Sequence, residues 1–241
     1  MKKITMHRQV GFSWSSCYSK RGTPIANNPP FIMVESPTLK WDELEKMIDQ
    51  YIATNGYDFD NVRDYLYSII PNDFVCTVYN NRKTTLSFMD VGGVPWRKWA
   101  VAVVQKCIKD IIEQFPATRK EYLFKSINIY RKGEIVSDAD YYLLIMPNIP
   151  KEELIISKCL HRDSENNCAV IFDDINEWNI AYRTGKFSEE LLVLPAKYKD
   201  LQMLHLGRDR LFVSDKITVA LNIASDYATG YEFGETLLFD E

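Results

Sequence analysis

LQMLHLGRDRLFVSDKITVALNIASDYATGYEFGETLLFDE, residues Leu201–Glu241, decides the fold class. Leu201–Leu206 and Leu211–Val213 are short apolar runs flanking Gly207-Arg208-Asp209-Arg210, which predicts two strands and a tight turn. Ser214 follows, a residue type whose hydroxyl caps free N–H groups at a helix start. Ile217, Ala220, Leu221 and Ala224 then recur at helical spacing. Gly230 permits the positive φ with which a chain leaves a helical region, and Tyr231–Phe239 returns as a strand. Strands and a capped helix in one block point to an α+β fold, with mixed or mainly antiparallel sheets packed on a few amphipathic helices.

The rest of the chain fits that class. Trp41, Leu44, Met47, Ile48, Tyr51 and Ile52 share one helical face, in a helix expected to start near Thr38 or Lys40 and to stop at Asn55-Gly56. A second helix is expected after Asp60, with Val62, Tyr65, Leu66, Ile69 and Ile70 inward and Pro71 as its stop. Phe74–Tyr79 and Thr84–Met89 alternate around Asn80–Lys83, which predicts a hairpin. Pro95 through Phe115 keeps an unbroken i, i+3, i+4, i+7 pattern and predicts one long central helix. Short strands are expected at Ser126–Tyr130, Asp140–Met146, Ile155–Leu160, Ala169–Phe172, Asn179–Tyr182 and Leu191–Leu194, with a turn at Pro147–Pro150 and one helical turn at Lys151–Leu154. Gly11–Glu35 reads as irregular strands around a Ser/Asn/Pro loop. The break at Gly92-Gly93 suggests a lobe over residues 1–93 and a second over 94–241, or one compact domain holding both.

Composition narrows the function classes. The 241 residues carry a net charge of −4, so nucleic-acid binding is not the expectation. No apolar run approaches the roughly 20 residues that cross a bilayer, and the basic N-terminus has no apolar stretch behind it. A cytoplasmic protein with five reduced cysteines is expected. The charge is unevenly spread: residues 1–120 carry 16 basic and 12 acidic side chains, residues 121–241 carry 13 and 21. Between Glu134 and Val193 there are 5 basic and 12 acidic ones. Such a face steers a basic partner.

Candidate chemistry is thin. Cys159, His161 and Cys168 form C-x-H-x6-C, one ligand short of a tetrahedral zinc site unless Asp163 or Glu165 joins. The intervening residues read better as a polar turn, so no metal is expected. Asp173, Asp174 and Glu177 sit beside Trp178, a grouping open to carboxylate hydrolysis but turn-like in sequence. No phosphate loop, nucleophile elbow or metalloprotease pattern is present, so no cofactor and no catalytic residue is assigned. The candidate partner-contacting residues are Asp173, Asp174, Glu177, Trp178, Glu189 and Glu190. Trp14 is a second candidate interface anchor, while Trp41, Trp96 and Trp99 fall on expected inner faces.

The tyrosine-rich strand Asp140–Leu144, the strand pair around Gly207–Arg210, Leu211–Ser214 leading into a helix, and Thr229–Phe233 after it resemble the polymorphic-toxin immunity proteins of family eleven. The likeness covers about half the chain, mainly residues 95–241, and no catalytic residue carries over with it. It implies a non-catalytic cytoplasmic antidote that binds a cognate toxin domain, a basic one by the charge pattern. A hydrolase using Asp173–Glu177 and a self-associating module, a homo-oligomer, are the alternatives.

Overall fold

Tyr141–Ile145 is apolar on both faces because it lies in the middle of a sheet with helices on either side. The computed structural model describes residues 5–10, 32–78, 88–90, 100–115, 120–131, 133–135, 140–206, 210–223 and 232–240. In chain order the elements are β1 (Thr5–Val10), β2 (Ile32–Glu35), α1 (Trp41–Asn55), α2 (Phe59–Ile69), β3 (Val75–Val78), β4 (Phe88–Asp90) and β5 (Ala100–Gln105). They continue with α3 (Lys106–Glu113), β6 (Leu123–Arg131), β7 (Glu134–Ile135), β8 (Tyr141–Ile145), β9 (Asn148–Ile149), β10 (Leu160–Asp163) and β11 (Cys168–Val170). The last are α4 (Ile175–Arg183), β12 (Phe187–Pro195), β13 (Met203–Leu206), β14 (Arg210–Ser214), α5 (Asp215–Ile223) and β15 (Glu232–Asp240).

Among the described residues the strands form two sheets. One has the order β2-β3-β6-β8-β5-β4, with β7 paired to β6; the other runs β11-β10-β12-β15-β1-β14-β13-β9. Pairing is mostly antiparallel, with parallel contacts at β3–β6, β12–β15 and β9–β13. The α+β expectation with mainly antiparallel sheets therefore holds. Both sheets draw strands from either side of residue 93: β1 lies between β14 and β15, and β3 pairs with β6.

Alternation distributes the side chains among three cores. Tyr141, Leu143 and Ile145 face α1 and α2, where Leu44, Ile48, Val62 and Leu66 are almost fully buried. Leu144 faces the other way, into a core built by Ile108, Ile111 and Ile112 of α3 and Ile217 and Leu221 of α5. That core also takes Met203 and Val213 from the second sheet, so it joins the two sheets. Leu204, Leu206 and Phe212 point to the opposite face, where they meet Leu192, Leu194, Trp178, Tyr198 and Phe59 of α2.

Several expectations are corrected. Residues 91–99 lie outside the described residues, but Ala100–Gln105 is a strand and the helix is only Lys106–Glu113. Val103 and Val104 are both buried, one in each flanking core. A strand buried on both faces gives a continuous apolar run that a helical template also fits. The expected hairpin does not form: β3 is bounded by β2 and β6, while β4 pairs with β5. Asp58, not Asp60, caps α2, accepting from the Asn61 N–H at 2.9 Å. Asn179–Tyr182 belongs to α4, and Ile156–Lys158 is a 3-10 turn ahead of β10. The expected turn at Pro147–Pro150 contains β9, which pairs with β13. Expectations for residues 11–31, including Trp14, and for 207–209 and 224–231 lie outside the described residues.

A buried carboxylate stitches the sheets at the level of the shared core. Glu121, 1% exposed, lies just ahead of β6 and accepts from the Gln202 N–H at 2.8 and 3.0 Å and from the Met203 N–H at 2.8 Å. Gln202 is held from its other side, its carbonyl accepting from the Ser214 N–H at 2.8 Å and its Oε1 from the Ser214 hydroxyl at 2.9 Å. Two tyrosines sense this charge. Burial, then Glu121 and Glu113, push the Tyr122 phenol up to about 12. Burial drives Tyr67 well above the usual phenol range, opposed by Arg63 and reinforced by Glu121.

Replacing Glu121 by Ala strands two buried N–H donors and is expected to cost about 3 kcal/mol, read from urea unfolding midpoints. A second expectation concerns alkali. Because the folded state holds the Tyr122 proton more tightly than the unfolded chain, its contribution is complete below about pH 10 and is lost as pH rises towards about 12. Tyr122→Phe should flatten that part of the stability profile.

Candidate functional site

The candidate residues are carried by a β-hairpin, the helix after it and the next strand. β10 and β11 pair antiparallel, with Asp163 opposite Cys168, Arg162 opposite Ala169 and His161 opposite Val170. Asp163 organises the turn between them. Its Oδ1 accepts from the Glu165 N–H at 2.8 Å and the Asn166 N–H at 3.2 Å, and its Oδ2 from the Asn166 amide at 2.6 Å. The Asn166 amide, then the Glu165 N–H, hold the Asp163 carboxyl below the usual carboxylate range. Asn167 takes a left-handed φ of 50°, which asparagine tolerates, and its side chain accepts from Arg162 at 2.7 Å. Arg162 in turn pairs with Glu190, and Lys186 pairs with Glu165 at 2.9 Å.

Asp173-Asp174-Ile175-Asn176-Glu177 is a helix start rather than a turn. Asp174 caps α4, accepting from the Asn176 and Glu177 N–H groups at 2.7 and 2.9 Å. Glu177 reaches back and accepts from the Asp173 N–H at 2.8 Å, a reciprocal arrangement close to a capping box. Both carboxylates also lie where the helix dipole favours negative charge.

Trp178, proposed from sequence as a partner contact, is 4% exposed and belongs to the core under α4. It packs on Tyr182 with ring centroids 5.0 Å apart. Lys151 stands over its ring at 5.0 Å and bonds Asn179. The fully buried His161 completes this cluster, with Phe172, Trp178 and Tyr182 at 4.9, 5.9 and 5.8 Å and its Nδ1 3.4 Å from the Tyr182 hydroxyl. The Cys159 sulfur is engaged by the backbone, accepting from the Val193 N–H and donating to the Ile155 carbonyl, each at 3.4 Å. Cys168 is exposed on β11. Among the described residues no group of three His, Cys, Asp or Glu is placed to hold a metal ion.

The sequence candidates do not share one surface. Asp173, Asp174 and Glu177 gather at the start of α4. Glu189 pairs in register with His161 and so lies on the α4 side of the sheet, while Glu190, one residue on, points to the opposite side and meets Arg162. What the sequence missed is apolar: Ile171 is 57% and Ile180 67% exposed. Glu177, Ile180 and Arg183 fall three residues apart on the outer face of α4. The signal was available in the Asp174…Glu177 cap, which read as a helix start would have put Ile180 on an outer face.

The chain matches no protein-family model, and no curated protein matches it. Among the described residues no helix is long and apolar enough to cross a membrane.

The two neighbouring side chains should separate cleanly in mutagenesis. Asp174→Ala removes only a cap and is expected to cost about 1 kcal/mol. Trp178→Ala opens the aromatic core and is expected to cost about 3–5 kcal/mol. Chemical denaturation of both variants checks the difference.

Proposed function

We propose that the protein works by binding another macromolecule, as an immunity protein that covers and neutralises a basic toxin domain inside the cell that makes it. The observation that carries this reading is the outer face of α4. Ile180 is exposed there, Ile171 is exposed just ahead of the helix, and Asp173, Asp174 and Glu177 stand between them in the chain. Exposed apolar side chains with a charged border have the composition of a binding patch, in which burial supplies affinity and the border supplies orientation. From Asp163 to Glu177 the chain holds five carboxylates and neither lysine nor arginine, which favours a cationic partner.

The same geometry weighs against the hydrolase alternative. A general base needs an acceptor free to reach a substrate proton. Asp174 accepts from two backbone N–H groups and Glu177 from a third. These bonds give one oxygen of each residue a structural role in holding the helix start.

Co-expression with the toxin domain encoded beside this gene is the test. A complex on gel filtration and rescued growth are expected, with Ile180→Arg weakening the complex at least tenfold. Val219→Arg, which changes another exposed apolar residue, on α5, should leave it unchanged. An unbound toxin that still kills would overturn the proposal.

A further inference from the structure

Among the described residues β11 is the outermost strand of the eight-stranded sheet, and no described strand pairs with its outer edge. Cys168 and Ala169 are exposed, and Ile171 immediately beyond is 57% exposed. The opposite outer strand of the sheet, β9, ends in the fully buried Ile149. Edges that must stay single are blunted by charge, proline or a bulge. Cys168-Ala169-Val170-Ile171 has no charge and no proline, and its register with β10 is regular.

The backbone directions can be read from one bond. The Ser164 N–H donates to the Lys186 carbonyl at 2.8 Å, so at this end of β10 the even-numbered residues turn their backbone groups to β12. Asp163 and His161 turn theirs to β11, where Cys168 and Val170 are their partners. Ala169 therefore directs its N–H and C=O away from the sheet. The Asp163 turn and the Arg162–Asn167 bond hold this edge in a fixed extended shape.

We propose that β11 takes up an added β-strand from a partner, an extended protein segment bearing lysine or arginine; this deepens the partner-binding reading above and rests on it. Charge selects the occupant. Asp173 and Asp174 follow β11 and are exposed, whereas Glu165, ahead of it, already holds Lys186 and Asp163 is buried in its own turn. A second copy pairing antiparallel would bring Asp173 of each copy to the Glu165 end of the other, where Lys186 is already paired, so it gains no charge contact of the kind a basic segment makes. A basic segment meets the carboxylates of Asp173 and Asp174 beyond the end of β11, main-chain bonds to Ala169 supply registration, and Ile171 supplies apolar contact.

The probe is a nine-residue peptide of alternating valine and lysine, added to the full-length protein and followed by amide shifts and hydrogen exchange. Expected are shifts centred on β11 and at least tenfold slower exchange at Ala169. A valine–glutamate peptide, and a valine–lysine peptide N-methylated at alternate residues, should each lose the effect. Equal binding of either control peptide, or no slowing at Ala169, overturns the proposal. Ala169→Pro removes the outward N–H without touching a bond to β10, and should weaken toxin capture at least tenfold. Toxin captured equally by Ala169→Pro would sink edge addition and leave the immunity reading standing. Peptide pairing without toxin capture would do the reverse.

Discussion

The two sheets and five helices of the described residues are held in one arrangement by a shared apolar core and by one charge inside it. Leu144 from one sheet and Met203 from the other meet between α3 and α5, and burial there gives attraction without direction. Glu121 supplies the direction. A carboxylate that far from water is tolerated only when its lone pairs are filled, and the backbone N–H groups of Gln202 and Met203 fill them. The start of β13 is thereby fixed against the start of β6, and Ser214 fixes Gln202 from the other side. β14 is held there by β13 on one side and by β1 on the other.

How much of this was legible depends on whether a segment is buried on one face or two. α1 and α2 present one apolar stripe, and their spacing located both to within a residue or two. The closing block was also readable, because β13, β14 and α5 each change period sharply at Gly207 and Ser214. β5 was not: with Val103 and Val104 in different cores, Ala100–Val104 is apolar throughout and the helical template finds as many matches as the strand. Partner choice among strands was hidden for a different reason. Phe74–Tyr79 and Phe88–Asp90 are close in sequence, yet β3 and β4 sit in separate parts of the sheet because β6, β8 and β5 lie between them. Glu121 gave no local sign at all, since its partners are more than eighty positions away.

The candidate site shows the same limit in miniature. Its acidic residues were found from composition, but composition does not say which face a side chain takes. Glu189 and Glu190 are neighbours on opposite sides of β12. Trp178 looked like an anchor beside acids, yet it packs with His161 and Tyr182 beneath the helix those acids cap. Read in order, the cap makes the helix, the helix buries the tryptophan, and only then does Ile180 reach the surface.

This ordering bears on what the acidic stretch is for. Carboxylates at a helix start are stabilised by the backbone donors they satisfy and by the dipole. Asp174 and Glu177 are fixed by backbone donors, whereas Glu165 and Glu190 hold Lys186 and Arg162. Fixed charge costs little further ordering when a partner arrives, which lowers the entropy lost on association. β11, placed between the Asp163 turn and the Asp174 cap, is tied at both ends in the same way. A strand edge with its outward groups already aligned is held in that shape before any partner arrives. That preorganisation was built by local backbone capping, which the fold needs in any case.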